Sequence, residues 1–449
     1  MSSPLRSARL RRILVAYTIN RLGTWFGLVA LSLAVFDHTH SALAVAALLF
    51  AGQALPAFVV PAIVARVEAS RRRSELSALY MFEAIVTAGL AVLLWHFSLP
   101  AVLVLVAIDG TAALAASALL RSELARTAHA EAAGRPGAAP PVDATEGADA
   151  SLTDNAEEAE RRANAALNVA FSFTFVLGPI IGGAVVAAAG ASAALFIDVA
   201  SFVICAALLL DLHPHVEEAG SDSVRARLRA AWRHINETAS LRTLFVAEAI
   251  ALVFFESGGP IEVAYAKATL HAGDRGYGLL LTTWGAGAVL GSVLFARLIK
   301  RSLAIMLRAG TLAIGGAYVG FAGAPTLALA CLAALVGGMG NGLQWPSMIS
   351  TVQRITPQHL QGRLMGALES LGALCLAIGL PLGGLLVALS SPRAAFLVVG
   401  LGALATTAVL LRVSVWRSPH SGREEELAPA LESQPGVRHE PATSEYTGD

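Results

Sequence analysis

The sequence predicts an all-α integral membrane protein with twelve transmembrane helices arranged as two pseudo-symmetric six-helix halves. Three observations carry that expectation. Apolar residues make up 55% of the 449-residue chain; twelve apolar runs are each long enough to cross a bilayer; and short motifs of the first half return at a fixed spacing in the second. Charged residues are 14% of the chain, against about a quarter in a soluble domain, and they gather between the apolar runs.

A membrane helix needs about 20 apolar residues to cross roughly 30 Å of hydrocarbon. The first half offers Ile13–Phe36, Leu43–Ala65, Leu76–Phe97, Leu99–Leu120, Ala163–Ala189 and Ser192–Leu210. The second offers Leu241–Ala264, Tyr277–Leu298, Leu303–Ala322, Leu327–Val352, Arg363–Leu389 and Arg393–Val415. The basic stretch Arg6 to Arg12 precedes a run too long for a signal-peptide core, with no small-residue cleavage site, so it opens the first span.

Lysine and arginine collect in cytoplasmic loops. With the N-terminus inside, the outer connections hold only Lys267, Arg275 and Arg393, and Arg21 lies within a span; the other 28 of the 32 basic residues fall inside. Both termini are therefore expected in the cytoplasm. The chain divides into an N-terminal half (1–210), a linker (211–240), a C-terminal half (241–415) and a tail (416–449). Residues 121–162 form a cytoplasmic insertion whose middle, AEAAGRPGAAPPVDATEGADA, has too few large apolar residues to fold, and it is expected to be disordered, as is the tail. In the linker, Val224, Leu228, Ala231 and Ile235 share one helical face opposite a set of arginines, which predicts an amphipathic helix on the membrane surface.

Net charge is zero, which gives no footing for a nucleic-acid partner. Cys205, Cys331 and Cys375 stand singly inside apolar runs, and the histidines show no metal-ligand spacing. No nucleophile motif or phosphate loop occurs. An enzyme, direct use of ATP and a bound cofactor are all unexpected.

A constant shift of 201 residues matches Arg162 with Arg363, Gly178 with Gly379, and Gly182–Gly183 with Gly383–Gly384. Ala65–Arg66 after the second span likewise matches Ala296–Arg297 after the eighth. Small residues alone would only permit close packing; matched positions and matched basic loops indicate a parallel repeat, an architecture that implies alternating access between the halves.

The segments NRLGTWFGLVALSLAVF, ARVEASRRR, ANAALN with LGPIIGG, AALFIDVASF, YGLLLTTWGAGAVLGS and VQRITPQHLQGRLMG resemble, in order, the major facilitator superfamily. The likeness runs from about Ile13 to Val415 and is nearest to the branch of enterobactin-exporter-like and macrolide-efflux permeases. It implies a secondary transporter of the bacterial inner membrane, monomeric, with a small amphiphilic substrate (drug, siderophore or secondary metabolite) and protons as its partners besides the lipid. In the family the loop after the second helix forms an inner gate with an aspartate; here that position is Ala65 and the preceding glycine position is Pro61, while Arg66, Arg71, Arg72 and Arg73 remain. The fifth-helix signature associated with exporters keeps Gly178, Pro179, Gly182 and Gly183 but has Thr174 for its first glycine. Efflux is the direction this implies; import or facilitated exchange of a small metabolite, or a non-transporting sensor or assembly role, are the alternatives.

Ionisable groups in hydrocarbon are costly and mark pathway sites. Asp109, near the middle of the fourth span, is the candidate proton carrier, with Arg21 as its candidate partner. Glu256 precedes Ser257-Gly258-Gly259-Pro260, where proline and two glycines predict a break in the seventh helix. Gln344 and Glu369 are candidate inner-vestibule contacts. Asp198 is expected to make a structural hydrogen bond, Glu83 and Glu248 to be packing residues, and Glu262 to lie at the outer surface.

Long loops cost little closure entropy. Replacing residues 130–156 with a short Gly/Ser linker should leave membrane insertion and transport nearly unchanged. Loss of transport by a normally inserted variant would show instead that the segment recruits a partner or gates the cytoplasmic mouth.

Overall fold

The computed structural model describes residues 8–60, 76–132, 150–210, 232–298 and 301–411. Among them there is no β-strand, and the chain runs through twelve long helices. These are α1 (Ala8–Thr39), α2 (Ala42–Val60), α3 (Leu76–His96), α4 (Leu99–Ala132), α5 (Ala150–Ala189) and α6 (Ala191–Leu208). The second half holds α7 (Ala239–Thr269), α8 (Gly273–Arg297), α9 (Leu303–Gly323), α10 (Leu327–Ile355), α11 (Gln358–Leu389) and α12 (Pro392–Leu411). Eleven are long and apolar enough to span a membrane; in α12 the apolar stretch is shorter, Pro392–Thr407. The backbone of a spanning helix satisfies its own polar groups, so this all-helical architecture is the one hydrocarbon permits. Short connections are punctuated by side-chain caps: Ser41 accepts from the Ala44 amide at the start of α2, and Thr326 from the Leu329 amide at the start of α10.

The end where α1 begins is called basal here and the opposite end distal. One buried core joins the distal ends of both halves: Val29–Phe36 of α1, Leu48 and Leu49 of α2, Ile261–Ala266 of α7, Trp284 of α8, and Tyr318, Phe321 and Phe396 of α9 and α12. At the basal end the cores separate. One, around Ile13, Tyr17, Leu76, Tyr80, Leu120 and Phe202, belongs wholly to the first half. Another, around Leu241, Phe245, Leu307, Met348, Val352 and Leu364, belongs wholly to the second. The described residues therefore bind the halves together distally and part them basally.

The repeat governs two of the helix pairs in that distal join. A Cβ on Gly183 of α5 would run into the Asp274 carbonyl and the Cα of Gly278 on α8. A Cβ on Gly384 of α11 would run into Ala46 and the Leu43 backbone on α2. The two glycines are repeat mates, and so are the helices they face. Within the halves the pattern repeats again: Gly178 and Gly182 seat α5 on Trp25 and Phe26 of α1, while Gly379 and Gly383 seat α11 on Val253 and Ser257 of α7. Missing side chains let backbones approach where lipid supplies no hydrophobic drive.

Several expectations change. Residues 121–132 and 150–162 are helical extensions of α4 and α5, so the expected disordered insertion of 121–162 contracts to a connection, 133–149, outside the described residues. The flanks are rich in Ala, Glu, Leu and Arg, strong helix formers, and the α4 extension is anchored: Glu123 is buried and pairs with Arg9 at 3.1 Å. The seventh helix is interrupted only at Ser257 and resumes at Gly258. Pro260 falls in the first turn of the resumed helix, where its missing N–H costs nothing. Most of the expected amphipathic linker helix (211–231), the gate arginines Arg66, Arg71, Arg72 and Arg73, and the tail lie outside the described residues.

Overpacking a tight contact costs about 1–3 kcal/mol. Gly183→Leu and Gly384→Leu should each destabilise the purified protein by that order in thermal unfolding. Gly316→Leu, with open space around its Cβ, should be near neutral. Equal effects at all three positions would remove these glycines from their role as the join.

Candidate functional site

Inside the first half lies a cavity of about 300 Å³, bounded by α1, α2, α3, α4 and α6. Its polar lining is Arg21, Thr24, Gln53, Thr87, Asp109 and Asp198; its apolar lining includes Trp25, Leu31, Leu49, Leu90, Val106 and Phe202. The local sequence explains why these helices approach. On α1, Gly23 and Gly27 leave the space that the Asp198 carboxylate of α6 fills. The segments NRLGTWFG and FIDVASF are thus two sides of one contact. On α2 a π-helical turn, Phe50–Ala54, brings Gly52 and Gln53 to the cavity wall, and Gly110 on α4 lies against the Gly52 carbonyl, leaving no room there for a Cβ. Such π-turns recur at functional sites.

Asp109 accepts a hydrogen bond from Thr87 Oγ1 at 3.1 Å, and Asp198 accepts one from Ser201 Oγ at 3.2 Å. One turn before Thr87 on α3, Glu83 is fully buried and neither carboxylate oxygen has a hydrogen-bond partner. Asp109 and Asp198 are its electrostatic neighbours. Arg21 lines the same cavity as Asp109, but among the described residues it forms no ion pair with it. Its guanidinium instead lies 5.1 Å from the Phe171 ring of α5, and its Nε is buried without a partner. The expected Arg21–Asp109 pair is therefore a shared cavity rather than a contact, and the cation lies over the Phe171 ring.

The other candidates are not brought to this cavity. Gln344 of α10 donates from Nε2 to Glu248 Oε2 of α7 at 2.7 Å, and both are buried. Glu248, expected as a packing residue, thus shares a buried side-chain hydrogen bond between α7 and α10, one that spacing along a single helix cannot reveal. Glu256 is half-buried beside the α11 contact at Gly379. Glu262 is also half-buried, with Tyr277 and Tyr318 as electrostatic neighbours, rather than at the distal surface. Glu369 is exposed on α11. Thr87 and Trp25 escaped the sequence reading; Thr87 stands four residues after Glu83, the spacing that stacks side chains on one helix face.

At the distal end Lys267 Nζ reaches Asp37 of α1 at 2.7 Å and Asp274 of α8 at 2.5 Å. This cation ties the end of the first helix to the second half, beside the Gly183 contact with the Asp274 backbone. The lysine side chain is 17% exposed, so the pairs are only partly screened.

Comparison with known proteins places this geometry. Residues 244–443 match the family model of the Major Facilitator Superfamily. The multidrug efflux pump Tap of Mycolicibacterium fortuitum is 26% identical over 248 residues, 53% of this chain and 60% of Tap. Tap of Mycobacterium tuberculosis is 26% identical over 268 residues, 57% of this chain and 62% of that protein. The matched part therefore spans about three fifths of these relatives' length. Among solved structures, the nucleoside transporter NupG superposes with a TM-score of 0.68 at 12% identity, over 92% of this chain and 100% of NupG. A bacterial homologue of the iron transporter ferroportin, in an inward-facing state, superposes with a TM-score of 0.64 at 17% identity, over 92% and 100% of the two chains. At these identities the structural likeness is one of fold.

A partly exposed ion pair is worth up to about 1 kcal/mol, roughly a fivefold change in a two-state population. Ala46→Cys, buried against Gly384, should react slowly with a membrane-impermeant thiol reagent applied from the distal side. Adding Lys267→Ala should speed that labelling about fivefold. An unchanged rate would mean that Lys267 does not hold the distal end shut.

Proposed function

We propose that this chain is a secondary active transporter of the major facilitator superfamily, one that exports a small amphiphilic molecule in exchange for protons. The observation that carries this reading is the cavity of the first half, where Asp109 and Asp198 stand with Arg21 among apolar, aromatic and neutral polar side chains, in a bundle whose basal end is parted from its partner. Carboxylates inside hydrocarbon are expensive and are retained where they bind protons or substrate. Parallel repeats that touch at repeat-matched glycines are suited to rocking about that contact. The Pro-Gly-Gly segment of α5 resembles that of exporters, and the two curated relatives described above carry the name multidrug efflux pump.

In this reading the molecule sits in a bacterial inner membrane as a monomer with both termini in the cytoplasm, as the arginine distribution favours. The basal opening then faces the cytoplasm, and the distal join is the closed outer gate. Asp109 carries the proton, Arg21 shapes the field around it, and Glu256, Gln344 and Glu369 contribute contacts from the second half. Gly258, Gly259 and Pro260 with the single-residue interruption at Ser257 let α7 flex as the halves rock, and Gly178, Pro179, Gly182 and Gly183 give α5 its packing face. No covalent step on the substrate is assigned.

Proteoliposomes with an imposed pH gradient should concentrate substrate on the side equivalent to the periplasm. Asp109→Asn should fold, bind substrate and support substrate exchange, but lose gradient-driven accumulation by more than tenfold. Equilibration without accumulation by the wild type would identify a facilitator. Normal accumulation by Asp109→Asn would make Asp109 a structural carboxylate and pass the carrier role to Glu256.

A further inference from the structure

Glu83 stands about two turns into α3 from its basal end, between Tyr80 and Ala84 of the first half's own core. It is fully buried and does not line the cavity. Neither of its carboxylate oxygens has a hydrogen-bond partner. Its electrostatic neighbours are Asp109 of α4 and Asp198 of α6. Tyr80 on its own helix and Cys205 of α6 lie beside it, with Tyr17 of α1 next to Tyr80. Arg21 lies over Phe171, and its charged neighbour is Arg121. Among the described residues, Glu83 is thus set among acids, phenols and a thiol, and no cation pairs with it.

That setting decides which carboxyl group is charged. A carboxylate in an apolar interior with neither donor nor cation is far costlier than the neutral acid. The two aspartates differ, since each accepts a hydroxyl hydrogen bond, from Thr87 and from Ser201. Asp198 is wedged into the space left by Gly23 and Gly27. Asp109 faces the cavity and is tied to α3 itself. Its donor, Thr87, stands one turn beyond Glu83, a rise of about 6 Å. Two carboxyl groups this close in a medium of low dielectric are not both ionised; a charge on one keeps the proton on the other.

We propose that Glu83 and Asp109 share one negative charge, so that Asp109 takes up a proton from the cavity as Glu83 releases one toward the basal end. Before the exchange Asp109 is the carboxylate and Glu83 the acid. Afterwards an O–H bond has formed on Asp109, the O–H bond of Glu83 has broken, and its proton has passed to basal water. The pair carries the same net charge in both states, so no second charge is created in the interior as a proton goes through. Glu83 touches neither the cavity nor its occupant and acts through Asp109. Its use in transport rests on the exporter reading; the shared charge does not.

Infrared difference spectra of the full chain, in nanodiscs of ether-linked lipid that lack ester carbonyls, test this. The wild type minus Glu83→Gln difference at neutral pH should show the carbonyl stretch of a carboxylic acid; a carboxylate signal there would overturn the proposal. As the pH is raised, that acid band should vanish at a midpoint about one unit lower in an Asp109→Asn background than in the wild type, a tenfold change in ionisation, because the opposing charge is gone. Glu262→Gln, distal on α7, should leave the midpoint in place. A midpoint that Asp109→Asn does not move would overturn the proposal. Where an amide variant fails to fold, Glu83→Met and Asp109→Leu, apolar replacements of similar size, take its place. In proteoliposomes Glu83→Gln should keep substrate exchange but lose gradient-driven accumulation more than tenfold, and Glu83→Asp should restore most of it. Normal accumulation by Glu83→Gln would also overturn the proposal. A wild type that only equilibrates substrate, with the midpoint moving as stated, would refute the export reading alone. A wild type that accumulates substrate with an unmoved midpoint would refute this inference alone.

Discussion

The architecture depends on backbone-to-backbone contact at two repeat-related places, Gly183 of α5 against α8 and Gly384 of α11 against α2. In hydrocarbon, helices gain nothing from burying leucine against leucine, since lipid tails are equally apolar; close approach and satisfied polar groups must hold them. At each contact a missing side chain brings one half within van der Waals reach of the other's main chain. The shared distal core and the Lys267 ion pairs to Asp37 and Asp274 gather around these two points. The α5–α8 contact continues to Phe175 and Gly285, and basal to it the cores of the two halves are separate. A join placed toward one end is a fulcrum, whereas a join along the full length would be a weld.

The first half's interior follows from a second set of small residues. Gly23 and Gly27 admit Asp198, and the Gly52–Gly110 approach draws α2 and α4 together beside Asp109. Helices that come so close leave space elsewhere in the bundle, and the cavity occupies it. The carboxylates are placed by packing on three different helices, so they cannot move independently of the bundle. Any event that neutralises or pairs them changes the energy of the whole half.

Much of this was legible in the sequence. The spans follow from the length of apolar runs, and the 201-residue shift identified Gly183 and Gly384 as equivalents before their contacts were known. The motif NRLGTWFG marked the face of α1 that lines the cavity, although its partner, FIDVASF, read only as a structural element of an outer helix. What sequence spacing could not give is pairing between helices. Arg21 and Asp109 share a cavity, yet Phe171 on a third helix takes the guanidinium. Gln344 and Glu248 meet across two helices that are distant in the chain. Composition also overstated disorder near residue 121, because alanine and charged residues that cannot build a core still extend a helix already nucleated by the preceding span, and Arg9 supplies Glu123 with a partner. The proline of α7 was overread for a related reason: its position within a turn, rather than its presence, decides whether a helix stops.

Halves that pivot on the distal glycine contacts close at one end as they open at the other. Spin labels at the exposed positions Arg121 and Arg354 report on the basal ends of the two halves, and labels at His40 and Ser390 report on the distal ends. Pulsed dipolar distances measured in liposomes, with and without a pH gradient, test the claim directly. The prediction is a resting population with a long basal and a short distal distance, converting under the gradient to one in which the basal distance shortens as the distal distance lengthens. Distances that change in the same direction, or a distal distance that never changes while substrate is moved, would contradict it.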